Sequence, residues 1–422
     1  MNLQERDQKH IWHPLTQHKL HPTAIPVVRA KGAIIYGENG KEWIDGIASW
    51  YTSMYGHCND YIMDKVEAQM RTLDQVVFSG FTHEPAVSLA EAMLQILPSN
   101  QQKIFFSDNG STATEIGIKM ALQYHFNNGR KRNTIIAFEE GFHGDTFGAM
   151  SVSGISVYNG PFEEFFISVK RIPVPDGKNN IKVLKAFREI VEKEQVAAFV
   201  YEPLVQGAAA MKMYDAKGLC ELLRISKANE VVTIADEVMT GFGKTGTNFA
   251  SDQLLNKPDI ICLSKALTAG VVPMAATSCT QQIYDAFYSN EIAKGFFHGH
   301  TYTANPLACS AAIAAIELLN SDNIQKQRKM IQGAHLEFDK EISKHPKVAS
   351  TRNCGIIYAL DLNVKMERYG SLRDRLFQFF MDEGVFLRPL GNTIYILPPY
   401  IITKKQLHKI YDTISLALQK IV

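Results

Sequence analysis

The feature that most limits what this chain can become is the alternation filling its middle. Short apolar runs rich in β-branched residues stand at 103–107, 134–138, 197–202, 231–236 and 260–263. Helical patterns at 112–126, 181–193 and 219–229 separate several of them. Runs apolar on both faces suit strands buried between helix layers. Strand–helix alternation of this kind predicts an α/β domain built around a largely parallel sheet.

A chain of 422 residues is too long for one simple core, and the texture does change after about residue 320. There a helical stretch at 324–343 precedes strands at 356–362, 385–388 and 394–397, and a last helix at 404–421. This style is α+β and predicts a smaller second domain. Near the start, 33–37 and 41–45 flank the turn Glu38-Asn39-Gly40, a hairpin signal. Termini often pack together, so the expected division is 1–48 with the small domain, 49–320 as the large domain and 321–422 as the rest of the small one.

Charge removes some function classes. The 44 Lys and Arg nearly cancel the 43 Asp and Glu, so no single-sign field gathers nucleic acid. The first thirteen residues are polar and carry no leader-like apolar core. The most apolar stretch, 308–319, is interrupted by Glu317 and is too short to span a bilayer. The six cysteines are scattered without metal spacing. A cytoplasmic protein with reduced thiols, no metal and no membrane or nucleic-acid partner is expected.

Four segments carry chemistry. Asp236 and Glu237 end an apolar strand, and ligands in open α/β sheets sit beyond the carboxyl ends of strands. Lys265 follows the run 260–263, where partial burial favours a neutral, nucleophilic amine. The stretch Ser107-Asp108-Asn109-Gly110-Ser111-Thr112 joins a strand to a helix, and free N–H groups at a helix start attract phosphate. In Gly141-Phe142-His143-Gly144-Asp145 an aromatic beside His and Gly can stack on a planar ring. Each alone has a bland reading: a loop acid, a solvated lysine, a plain N-cap, a core Phe with a structural His. Together they supply more. Asp236 and Lys265 are 29 residues apart, enough for a crossover that returns both to one sheet edge. A lysine for a Schiff base and a carboxylate for a pyridinium nitrogen are the pair that pyridoxal chemistry needs. By contrast Gly241-Phe242-Gly243-Lys244-Thr245-Gly246 matches a dinucleotide fingerprint only in letters, because two acids separate it from the strand and a loop follows.

Taken in order, Gly110-Ser111-Thr112, Gly141 to Gly144, Ala235 to Gly246 and Ser264 to Leu267 resemble class III aminotransferases of pyridoxal 5'-phosphate fold type I, over nearly the full chain. That resemblance implies a pyridoxal-phosphate enzyme and a homodimer with shared active sites. It implies Lys265 as the Schiff-base lysine, Asp236 at the ring nitrogen, and Gly110 and Ser111 at the phosphate. Thr301 would reach the phosphate from the other subunit. Phe142 and Val238 would cover the two ring faces, with His143 beside them. Trp50, Phe142, Asp145, Gly299, Arg388 and Tyr395 would lie on the substrate side. A narrower set, including Ile11-Trp12-His13-Pro14, Ala48 to Tyr51, Glu202 to Ala208 and Arg388 to Gly391, resembles the branch serving biotin biosynthesis. Its members are expected to take their amine from S-adenosylmethionine or lysine. Leu15 and Phe142 stand where that branch often has tyrosine, which leaves the donor open.

Overall fold

The computed structural model describes residues 1–422 apart from 22, 39, 155, 157, 158, 366, 367 and 369. Asn39, in the expected hairpin turn, lies outside the described residues.

Seven strands form the large sheet: β1 (Gln101–Ser107), β2 (Thr134–Phe138), β3 (Val169–Ile172), β4 (Val196–Tyr201), β5 (Val232–Asp236), β6 (Ile260–Leu263) and β7 (Ala275–Thr280). Their order in space is β1-β7-β6-β5-β4-β2-β3. β7 runs antiparallel to both β6 and β1, and every other neighbouring pair is parallel. Six strands therefore share one direction and deliver their carboxyl ends to one edge.

The five expected strands all appear, each within a residue or two of its expected bounds. One shift matters: β4 ends at Tyr201, so Glu202 falls beyond the strand, on the sheet's edge. The two strands not expected explain themselves. β3 is half polar, and β7 (Ala-Ala-Thr-Ser-Cys-Thr) is made of small residues with little apolar bulk.

Helices cover both faces. On one, Gly110–Asn127 lays Ile116 and Ala121 against Ile135, Ile234 and Ile260. On the other, Asn180–Lys193, Ala216–Ala228 and the alanine-rich Pro306–Leu319 join the larger core. Covering both faces accounts for the unbroken burial of β2, β4, β5 and β6.

The C-terminal region holds an antiparallel sheet of Val348–Cys354, Ile357–Leu362 and Thr393–Ile396. Val348–Cys354 escaped the sequence reading because its residues are mostly polar. Chain termini meet here: Glu42–Asp45 pairs in parallel with Val385–Phe386. Ala33, Phe106, Leu263, Ile356 and Leu407 belong to one buried cluster, so the core runs unbroken from the large sheet into this region.

Candidate active site

The sheet edge gathers the chemical groups. β5 and β6 are adjacent and parallel, with Asp236 opposite Cys262, so Lys265 follows three residues past that pair. Lys265 adopts φ +50°, a left-handed conformation uncommon for a side chain of this size. Such strain marks places that the surrounding fold holds in position. Lys265 is half-buried, and its Nζ lies 5.5 Å from the centre of the Tyr51 ring. Burial pushes its amine below the ordinary lysine value, while the charges of Asp236 and Glu202 pull it back up.

Asp236 is buried and held by two donors. His143 Nδ1 lies 2.8 Å from Oδ2, and the Val238 N–H donates to Oδ1 at 3.0 Å. The His143 backbone N–H in turn donates to Ser153 Oγ at 2.9 Å. Fixing both carboxylate oxygens aims the acid without freezing it as a surface ion pair. Phe142, next to His143, is exposed at the edge.

The helix Gly110–Asn127 begins beside them. Asn109 caps it by accepting from the Thr112 N–H at 3.1 Å. Among the described residues the N–H groups of Gly110 and Ser111 have no acceptor, as the first turn of a helix dictates. Gly110 is required here: a Cβ would come within 2.8 Å of Val238 Cγ1. Ser111 Oγ accepts from the Asp145 N–H at 3.1 Å, which ties the Phe142–Asp145 loop to the helix start. Gly144, at φ +125°, allows that approach, since its Cβ would collide with Ser111 Oγ.

A second cluster lines the open side. Ala48, Ser49, Trp50 and Tyr51 all have φ between +47° and +75°, one turn of left-handed backbone with no glycine in it. Each such residue is costly, so the fold must hold the turn by its surroundings. It presents Trp50 beneath the Arg388 guanidinium, 4.9 Å from the ring centre. It also sets Tyr51 Oη 3.1 Å from Tyr395 Oη. Among the described residues Arg388 has no carboxylate partner. A lone guanidinium on an aromatic face suits a ligand's carboxylate.

Of the residues singled out from sequence, Lys265, Asp236, His143, Val238, Gly110, Ser111, Phe142 and Asp145 meet at the large sheet's edge. Trp50, Tyr395 and Arg388 join through Tyr51. Gly299 and Thr301 do not: both are exposed, and the Thr301 carbonyl accepts from Gln75 Nε2 at 2.7 Å. No hydrogen bond among the described residues links them to the helix start. Sequence reasoning missed Tyr51 and Glu202 as members of the site. Tyr51 lies in the stretch Ala48 to Tyr51 that carries the narrower resemblance, but nothing in Ala-Ser-Trp-Tyr announces a left-handed turn that would turn it into the site. Glu202 was hidden by being counted inside a strand. The glycine loop 241–246 is a series of turns followed only by the short 3-10 turn Ala250–Gln253, not by the α-helix a dinucleotide fingerprint opens.

These groups fit pyridoxal 5'-phosphate: a phosphate for the bare N–H groups, a ring nitrogen for the oriented Asp236, an aldehyde for the Lys265 amine. The fold and the site thus define a pyridoxal-phosphate enzyme of fold type I. Comparison with known proteins narrows the class. The aminotransferase class-III family matches residues 15–418, and the chain belongs to that family. It is 43% identical to the adenosylmethionine-8-amino-7-oxononanoate aminotransferase of Synechococcus elongatus, covering 98% of this chain and 99% of that one. The enzyme of the same name from Helicobacter pylori is 33% identical over 97% of each. Among solved structures, that of the same-named enzyme from Methanocaldococcus jannaschii superposes with a TM-score of 0.94 at 31% identity, covering 99% of this chain and 98% of that one. An amine transaminase from an uncultivated Pseudomonas species, in its PLP-bound form, gives 0.92 at 26% identity, covering 98% and 99%.

Proposed function

We propose that this aminotransferase moves an amino group from S-adenosylmethionine to the keto carbon of 8-amino-7-oxononanoate, giving 7,8-diaminononanoate for biotin synthesis. The observation that carries the reading is Arg388 over Trp50, joined by the shared acceptor in the relatives' names. A nine-carbon acid brings one carboxylate, and among the described residues Arg388 at the open edge has no carboxylate of its own.

Bound pyridoxal phosphate supplies an electron sink and carries the amine from one substrate to the other. The residues do the rest. Lys265 Nζ, whose basicity burial lowers, would take the proton from the donor's α-carbon and deliver it to C4′ of the cofactor. Asp236, turned by His143 and the Val238 N–H, would hold the ring nitrogen's proton. Gly110 and Ser111 would hold the phosphate and Phe142 and Val238 the two faces of the ring, while the Asp145 N–H ties the intervening loop to Ser111. The reading includes a homodimer in the cytoplasm, with Gly299 and Thr301 serving the second subunit's site. Their exposure away from their own helix start supports this arrangement.

The test is product formation. Purified protein is given 8-amino-7-oxononanoate with S-adenosylmethionine or with lysine, and 7,8-diaminononanoate is measured by mass. Product with S-adenosylmethionine supports the reading. Product with lysine alone keeps the acceptor and changes the donor, giving Leu15 and Phe142 a meaning. No product with either, but turnover of other ω-amino acids or diamines, overturns it.

A further inference from the structure

Glu202 has no role in the account so far, yet it lies at the centre of the site. It follows β4, and β4 pairs with β5 so that Tyr201 stands opposite Ala235. Glu202 and Asp236 are therefore the next residues on two adjacent parallel strands, and both are buried. Two buried carboxylates side by side repel unless something positive intervenes. The available cations are His143, bonded to Asp236, and Lys265, which interacts with both acids. Glu202 also binds backbone on two sides: Oε1 accepts from the Phe142 N–H at 3.0 Å and Oε2 from the Gly207 N–H at 2.9 Å. Both oxygens accept, which is carboxylate geometry.

We propose that Glu202 is a positioning residue for the cofactor: its carboxylate keeps His143 an imidazolium against Asp236, and it fixes the backbone of the ring-facing Phe142.

The charges then close. A protonated ring nitrogen and an imidazolium face two carboxylates, Asp236 and Glu202. With Glu202 removed, ring nitrogen and imidazole compete for one acid, and His143 gives up its proton first because nothing else compensates its burial. The electrostatics agree in direction. Burial disfavours the His143 imidazolium, but the hydrogen bond and charge of Asp236 and the charge of Glu202 raise it above the ordinary histidine range. Burial pushes Glu202 up to about 7, with His143 drawing it back, Asp236 adding to the rise, and the two N–H donors lowering it. The second ring hydrogen also has a candidate acceptor. His143 Nε2 is buried without a partner among the described residues, and so are both ends of the Gln206 amide. The two flank Gly141, whose Cβ would lie 2.9 Å from Nε2 and 3.6 Å from the amide nitrogen. Oxygen and nitrogen of an amide are interchangeable by rotation, so Gln206 can offer its oxygen.

The experiment follows the His143 imidazole by ¹⁵N NMR against pH in protein stripped of cofactor, assigned with His143→Asn. It needs no substrate, so it stands whether or not the proposed reaction is right. Wild-type His143 is expected to stay protonated at neutral pH. Glu202→Gln, which keeps shape and one acceptor but not the charge, should move the midpoint toward acid. Glu202→Asp, which keeps the charge, should largely restore it. In the loaded enzyme Glu202→Gln should lower kcat far more than it raises KM, with a changed pH profile. A midpoint that stays put in Glu202→Gln overturns the proposal and leaves Glu202 as a backbone clamp only. If that variant fails to fold, the wild-type titration decides alone: a neutral His143 imidazole at pH 7 also overturns it.

Discussion

Two lysines 21 residues apart, Lys244 in the glycine loop and Lys265 at the sheet edge, share the features commonly used to find a reactive amine. Burial lowers both below the ordinary lysine value, Lys244 to about 7. The loops around them differ in what they leave open. Lys244 is fully buried, and its Nζ donates to the Gly241 carbonyl at 2.9 Å. Its own carbonyl accepts from the Ile356 N–H at 2.9 Å, and Gly355 packs so closely that a Cβ there would reach 2.5 Å from that oxygen. Lys244 is sealed in the seam between the large sheet and the C-terminal strands. Lys265 is half-buried, beside Tyr51 and facing two acids at a carboxyl edge. Depressed basicity therefore does not identify the working lysine. Access, together with an acid on the neighbouring strand, does.

The sharpest way to break that contrast is to exchange the losses. Lys265→Ala should abolish turnover and the visible band of the bound cofactor, while the fold survives. Retained turnover would refute the assignment. Asp236→Asn should keep cofactor bound yet cut the rate by orders of magnitude, since the electron sink is weakened. A near-normal rate would remove Asp236 from its role.

Lys244 predicts the opposite pattern, in stability and not in chemistry. Its folded value of about 7 lies below the ordinary 10.5, so between those limits the unfolded chain binds more protons than the folded one. Stability contributed through this group must then rise with pH across that window, and the penalty is fully present below it. The total is roughly 3–5 kcal/mol at 1.36 kcal/mol per unit. Denaturant melts of wild type and Lys244→Met from pH 7 to 10 isolate it by difference. The variant should lose that upward slope and retain turnover. An unchanged slope, or a variant as dead as Lys265→Ala, would erase the distinction between the two loops.

The same contrast shows how much was legible beforehand. The α/β order could be read because β2, β4, β5 and β6 are buried on both faces and therefore spelled in uninterrupted apolar letters. Lys265 and Asp236 could be read because each ends such a run. What stayed hidden depends on conformation or long-range packing. The left-handed turn at Ala48–Tyr51 is set by neighbours far along the chain, such as Tyr395. β7 gains its place from pairing with β1, 170 or so residues away, and not from its small side chains. Glu202 gains its meaning only when β4 is laid beside β5. Lys244 looked like part of a false fingerprint, and nothing in Gly-Phe-Gly-Lys-Thr-Gly tells that its lysine is buried.

Arg388 extends the comparison to the open side. Like Lys265 it faces access, and unlike Lys244 it has no backbone carbonyl to satisfy it among the described residues. Its guanidinium rests on Trp50, so the ring pre-orients the fork before any ligand arrives. Removing a charge-assisted contact typically costs about 1.5–3 kcal/mol. At 1.4 kcal/mol per tenfold, Arg388→Ala should raise KM for the carboxylate-bearing acceptor about ten- to a hundredfold. The donor half-reaction, followed by loss of the visible band, should change far less. Arg388→Lys should recover little, because a point charge does not reproduce a planar fork stacked on indole. Equal losses in both half-reactions would mean that Arg388 holds Trp50 and the strained turn in place and does not read the substrate. The cation on the open edge would then be structural after all, as Lys244 is in its sealed loop.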